Sequence, residues 1–98
     1  MREKKRILVI GSLNLDIVVS ADHVPLAGET ILGRNMALVP GGKGANQACA
    51  AGRLGADTAM LGALGQDAHG RLLESSLRES GVDVSRLLWR DHKETGLA

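Results

Sequence analysis

Pro40-Gly41-Gly42-Lys43-Gly44-Ala45-Asn46-Gln47-Ala48 is a glycine-dense turn that runs straight into an alanine-rich helical segment. Gly41, Gly42 and Gly44 lack Cβ atoms, so the backbone can take positive φ and a ligand can approach the main chain closely. A helix beginning near Lys43 or Gly44 offers unpaired N–H donors at its first turn. Lys43 then needs a reason, because a cation at a helix N-terminus opposes the macrodipole by about 0.3–1 kcal/mol. Contact with the oxygens of a polyhydroxylated small molecule supplies one. A plain glycine turn with Lys43 pointing into water accounts for the same residues.

Two phosphate-loop patterns fail at this stretch. A Walker loop needs a glycine where Ala37 stands and a Ser or Thr where Gly44 stands, and a dinucleotide fingerprint needs a third small residue where Gln47 stands.

Outward on the N-terminal side, Ile7-Leu8-Val9-Ile10 is a branched-aliphatic run ended by Gly11, the pattern of a parallel strand buried on both faces. In the following extended stretch Asn14 and Asp16 are two apart and share a face. An amide beside a carboxylate makes a good receptor for adjacent hydroxyls, the carboxylate accepting charge-assisted hydrogen bonds. Asn and Asp also build turns after strands, which explains them equally well. Val24-Pro25-Leu26-Ala27-Gly28-Glu29 reads as a turn. Residues 30–39 read as one or two short strands interrupted around 33–35, forming a flap beside the main sheet.

On the C-terminal side a helix from about residue 44 to 54 places Ala45, Ala48, Cys49 and Gly52 on one nearly bare face. Gly55 suits its C′ position. Thr58-Ala59-Met60-Leu61-Gly62 is the next strand, completing a β-α-β unit. Asp67 is a candidate N-cap for a helix to about Ser80, with Leu72, Leu73, Ser76 and Leu77 as its inner stripe and Gly81 as its stop. Leu87-Leu88-Trp89 and Thr95-Gly96-Leu97-Ala98 read as further short strands.

Composition narrows the function classes. With 98 residues, 44% hydrophobic, the chain is long enough for one small globular domain, but only one, with an aliphatic core. Trp89 stands without Phe or Tyr, which argues against single-stranded nucleic-acid binding by stacking, and a formal charge of +1 exerts no net pull on polyanions. Cys49 has no disulfide partner, sits among alanines as a small filler and fits a cytoplasmic, reducing compartment. His23, His69 and His92 are too far apart for a short metal motif and read as surface or loop residues, so no metal site is expected. Arg2-Glu3-Lys4-Lys5-Arg6 before the apolar run, with Val19-Ser20-Ala21 beyond, imitates a secretory signal, but Asn14 and Asp16 interrupt the apolar region. No stretch of ~20 apolar residues suggests a membrane span.

Taken together, the Gly41 to Ala48 stretch resembles the N-terminal signature of the ribokinase-like (PfkB) carbohydrate kinases. Gly11-Ser12-Leu13-Asn14-Leu15-Asp16, Pro25-Leu26-Ala27-Gly28-Glu29-Thr30, Ala51-Gly52-Arg53-Leu54-Gly55-Ala56, Leu64-Gly65-Gln66-Asp67-Ala68-His69-Gly70, Gly81-Val82-Asp83 and Thr95-Gly96-Leu97-Ala98 follow in the order expected of that family. Lys43, Ala45 and Gln47 together resemble its ribose-kinase branch. Phosphosugar kinases usually carry a larger apolar residue at the Ala45 position, and fructokinase-like and adenosine kinase-like members commonly lack the lysine.

The resemblance implies the N-terminal part of a three-layer α/β/α fold with a small β-sheet lid, residues 1–98 forming the sugar side of a single domain. It implies a substrate-binding set of Asn14, Leu15, Asp16, Gly42, Lys43, Gly44, Ala45 and Asn46. Asn14 and Asp16 would hold the sugar hydroxyls, the Gly42 backbone and Lys43 would cap the other side, and Asn46 would reach in from the first helical turn. Residues 17–19, 30–39 and 95–98 would form a lid that closes over ribose and mediates homodimerisation. Members of the family carry a later Gly-Ala-Gly-Asp motif whose aspartate deprotonates the sugar hydroxyl, together with the sites for ATP, magnesium and a monovalent cation such as potassium. None is matched here, so no catalytic residue is expected in this chain and no turnover from it alone. A non-catalytic sugar-binding or dimerisation module, or a kinase for another sugar or nucleoside, is the alternative.

Overall fold

The computed structural model describes residues 5–98, so residues 2–4 of the signal-like run lie outside the described residues. In chain order the elements are β1 (Arg6–Ile10), β2 (Asn14–Ser20), β3 (Arg34–Gly41), α1 (Lys43–Arg53), β4 (Asp57–Leu61), β5 (Ala63–Gly65), α2 (Ala68–Glu79), β6 (Val82–Asp83), β7 (Leu88–Arg90) and β8 (Gly96–Leu97). They form three small sheets, ordered β1-β4-β6, β3-β2-β8 and β5-β7. The first and third are parallel, while β2 is antiparallel to β3 and parallel to β8.

The expected strand-helix-strand crossover is present, with β1 parallel to β4 and α1 packed against both. Ala45 and Ala48 face inward on α1, and Cys49 packs partly buried against the core. A Cβ at Gly52 would collide with the Ser80 carbonyl, which is why α1 and α2 approach so closely there. The α1 stop is a Schellman arrangement: Gly55, at φ 92°, donates to the Gly52 carbonyl at 3.0 Å and Ala56 to that of Ala51 at 3.1 Å. Asp67 caps α2 by accepting from Gly70 N–H at 2.7 Å, and Gly81, at φ 82°, ends it. Leu73 and Leu77, each 1% exposed, reach the shared core with Leu15, Met60 and Leu64. Burying such a side chain is worth about 1.5–3 kcal/mol.

Three expectations are corrected and one, that of the flap, is refined. β1 is not buried on both faces: it is an edge strand, Leu8 and Ile10 are 52% and 71% exposed, and only Val9 packs against the core. The inner stripe of α2 excludes Leu72, which is 39% exposed; Gly70, Leu73, Leu77 and Ser80 occupy that face, a spacing that better matches the helical period. The flap contributes one strand from residues 30–39, beginning only at Arg34, and its irregularity is a bulge: Val19 pairs with Met36 and Ser20 with Arg34, leaving Asn35, at φ 47°, as the extra residue. Finally, Pro40 and Gly41 belong to β3, so the turn before α1 shrinks to Gly42 at φ 96°.

The principal extents are 59 × 33 × 20 Å.

Candidate functional site

β2 emerges from the core at the point where it meets the end of β3, with Asn14 opposite Gly41 and Asp16 opposite Val39. Leu15, between them, is 0% exposed and faces the core. Strand alternation therefore turns Asn14 and Asp16 the other way. Their side chains are joined, Asn14 Nδ2 donating to Asp16 Oδ1 at 2.6 Å.

The glycines explain how this pair fits beside the helix. A Cβ at Gly41 would stand 2.6 Å from Asp16 Oδ2, and one at Gly42 would stand 2.7 Å from the Ser12 carbonyl and 3.1 Å from Asn14 Oδ1. Any larger residue at either position displaces the carboxylate or the amide. At Gly44 a Cβ would lie 2.9 Å from Gly11 Cα, so α1 crosses the end of β1 backbone to backbone. The glycines thus let the chain's own atoms assemble the wall.

The first turn of α1 completes it. Gly42 provides no side-chain cap, and no acidic residue occupies the turn. Ala45 N–H donates to the Ser12 carbonyl at 3.0 Å and Asn46 N–H to that of Gly42 at 2.9 Å. Among the described residues the N–H groups of Lys43 and Gly44 have no acceptor, and Lys43 makes no ion pair. Lys43 and Asn46 are exposed and three apart, on one strip of helix surface. The wall therefore offers a carboxylate and an amide oxygen as acceptors, and an ammonium, amides and helix N–H groups as donors. That set matches vicinal hydroxyls, each of which both donates and accepts.

Of the eight residues expected at the site, Asn14, Asp16 and Gly42 are in direct contact, and Lys43 and Asn46 stand next to them on α1. Leu15, Gly44 and Ala45 are buried, so they can present only backbone, and the N–H of Ala45 is already engaged. The same wall does not fit a triphosphate, because the Asp16 carboxylate overlies Gly41 at the mouth of the turn. Among the described residues no three His, Cys, Asp or Glu side chains are grouped to hold a metal ion.

A feature the sequence pattern announces only in part lies next door. Besides capping α2, Asp67 accepts from Thr95 twice, Oδ1 from the hydroxyl at 2.6 Å and Oδ2 from the N–H at 2.8 Å. The Thr95 hydroxyl, Thr95 N–H and Gly70 N–H hold the Asp67 carboxyl down to about 2, below its ordinary 3.8. Because the folded value is depressed, this stabilisation is complete above the ordinary carboxylate range and disappears as pH falls through about 2. The cap is readable from Asp67 before Gly70; its second partner, 28 residues away, carries no local signal. A cleft of about 370 Å³ borders this knot, lined by Asp67, His69, Glu94, Thr95 and Leu97 among others.

Residues 4–98 match the family described as pfkB family carbohydrate kinase. The chain is 47% identical over 94 residues to the ribokinase of Bacillus subtilis (strain 168), covering 96% of this chain and 32% of that protein. It is 38% identical over 95 residues to the ribokinase of Haemophilus influenzae, covering 97% and 31%. Its fold superposes on the Arabidopsis thaliana ribokinase complexed with ribose and ATP with a TM-score of 0.83 at 36% identity, over 97% of this chain and 31% of that one. The chain thus spans about a third of the length of the curated relatives it matches. With that match across nearly its whole length, the chain belongs to the pfkB family of carbohydrate kinases.

Proposed function

We propose that this chain is the N-terminal, sugar-binding portion of a ribokinase, whose complete form transfers the γ-phosphate of ATP to the 5-hydroxyl of D-ribose. The observation that carries this is the Asn14–Asp16 pair, joined at 2.6 Å and seated over the side-chain-free Gly41–Gly42 corner beside the open N-terminus of α1. Asp16 accepts from two ribose hydroxyls, Asn14 orients the carboxylate, and Lys43 with the free helix N–H groups donates to sugar oxygens. Leu15, Gly44 and Ala45 hold these groups in place through the backbone. The β3-β2-β8 sheet acts as a lid whose closure keeps water from competing with the sugar hydroxyl for the phosphoryl group.

We assign none of the described residues as the proton acceptor for that hydroxyl. ATP with its magnesium, and a potassium-type monovalent cation, belong to the phosphoryl-transfer side of the complete enzyme. Phosphoryl transfer depends chiefly on positioning and charge stabilisation, so the chain alone is expected to show no turnover. We place the protein in the cytoplasm, in keeping with its single cysteine; no described helix is long and apolar enough to cross a membrane.

A second reading, a non-catalytic module that binds sugar or dimerises, is favoured by the apolar lid: Val18, Val19 and Met36 are 48%, 52% and 68% exposed. In the complete enzyme the same surface would form a homodimer contact. Calorimetric titration with D-ribose, adenosine and D-fructose tests substrate choice and site together. Ribose should bind most tightly, and Asp16→Ala should abolish the heat; unchanged binding by Asp16→Ala would exclude the proposed wall.

A further inference from the structure

Capping α2 requires one hydrogen bond to Asp67, yet this carboxylate receives three. Oδ1 accepts from Gly70 N–H at 2.7 Å and from the Thr95 hydroxyl at 2.6 Å, while Oδ2 accepts from Thr95 N–H at 2.8 Å. The Thr95 hydroxyl also accepts from Gly65 N–H at 3.1 Å. Thr95 is 4% exposed, so water cannot replace these partners without cost. The surrounding glycines are fitted to the knot. A Cβ at Gly65 would stand 2.6 Å from Thr95 N and 2.8 Å from Asp67 Oδ2, and one at Gly70 would stand 3.0 Å from Thr95 Oγ1.

The residue after Thr95 opens β8, which is only two residues long and pairs with β2 as Asn14↔Gly96 and Leu15↔Leu97. The strand is extended by Ala98 N–H donating to the Leu15 carbonyl at 2.9 Å and Ile17 N–H to that of Ala98 at 2.6 Å. So short a ladder cannot define its own register, and a slip of one residue would reverse which side each residue faces. The backbone of Gly96 also lies against the Asn14 side chain, since a Cβ there would be 3.4 Å from Asn14 Cβ. Where Thr95 is pinned therefore decides what stands behind Asn14.

We infer that Asp67 and Thr95 form a latch that fixes β8 beside Asn14, making Asp67 a positioning residue for the Asn14–Asp16 wall. It acts through Thr95 and Gly96 and touches no sugar. The consequence for binding rests on the sugar-site reading above; the placement of β8 does not.

The test uses the 98-residue chain with three variants. Thr95→Val removes the hydroxyl at nearly constant shape, Thr95→Ser keeps it, and Asp67→Asn turns an NH2 group toward a donor. Amide hydrogen exchange is followed at Ala98 and Ile17, with Ala48 in α1 as the internal reference, and D-ribose affinity is measured by calorimetry. Thr95→Val and Asp67→Asn should each accelerate exchange at Ala98 and Ile17 by about tenfold relative to Ala48 and weaken ribose binding, and Thr95→Ser should restore both. Unchanged exchange at Ala98 and Ile17, or a serine variant as impaired as the valine one, overturns the latch. Faster exchange with undiminished ribose affinity overturns its role in shaping the wall. If the unmodified chain binds no ribose, the sugar reading fails and the exchange pattern alone judges the latch. Should Thr95→Val lose its circular dichroism, Asp67→Asn against Thr95→Ser supplies the same contrast.

Discussion

The α/β layer and the lid sheet are built from equally aliphatic residues and treat them in opposite ways. In the layer, Met60, Leu73 and Leu77 are at most 1% exposed, whereas in the lid Ile17, Val18 and Val19 are 41–52% exposed although all lie within β2. The layer is held by burial; the outer lid is held by its hydrogen-bond ladder and leaves its apolar side chains half exposed. The candidate site sits where the two meet. Leu15 is fully buried, and its neighbours Asn14 and Asp16 are the first side chains to leave the core. If Asn14 and Asp16 bind sugar as proposed, that placement gives them a buried foundation beside a sheet able to close.

The contrast breaks most visibly under truncation. Leu77→Ala should lower stability by about 2–5 kcal/mol, as expected for a large-to-small change in a packed core. Val18→Ala should cost no more than about 0.5 kcal/mol. Urea denaturation of both variants reads the difference directly, and equal losses would mean that the lid is integral to the core. At the seam, Gly41→Ala should disturb the site alone, because its Cβ would meet Asp16 Oδ2 at 2.6 Å. Ribose affinity should fall by about tenfold or more, the loss of roughly one charge-assisted hydrogen bond, while helical circular dichroism stays unchanged. The smallest effect is expected at Lys43, exposed at the first position of α1. Lys43→Ala should raise the melting temperature slightly, relieving about 0.3–1 kcal/mol of unfavourable dipole interaction, and yet weaken ribose binding. A variant that melts higher with unchanged affinity would make Lys43 a bystander.

What was legible in the sequence is what local rules govern. Gly55 and Gly81 stop their helices at positive φ, and Asp67 caps α2, all from signals within a few residues. The shared face of Asn14 and Asp16 follows from strand alternation alone. The seat that Gly41 provides for Asp16 does not, because it depends on the register between β2 and β3. β5 and β6, of three and two residues, are too short for any periodicity to show, and exist only through β7 and β4 as partners. The exposure of β1 was hidden for a related reason. An apolar run reports that a strand is suited to burial, not which elements are present to bury it, and here Ile10 remains 71% exposed. The Asp67–Thr95 contact is likewise a product of topology, since it joins residues 28 apart in sequence with no local pattern to announce it.

The proposed reading holds ribose between the start of β2 and the first turn of α1. Its most direct test is a D-ribose titration followed by the backbone amide spectrum of the uniformly labelled chain. Saturable shifts concentrated at Asn14 through Asp16 and Gly42 through Asn46, with the α2 residues Leu73 and Leu77 unmoved, are the predicted result. Shifts absent from both segments, or centred instead on the cleft beside His69 and Glu94, would contradict it.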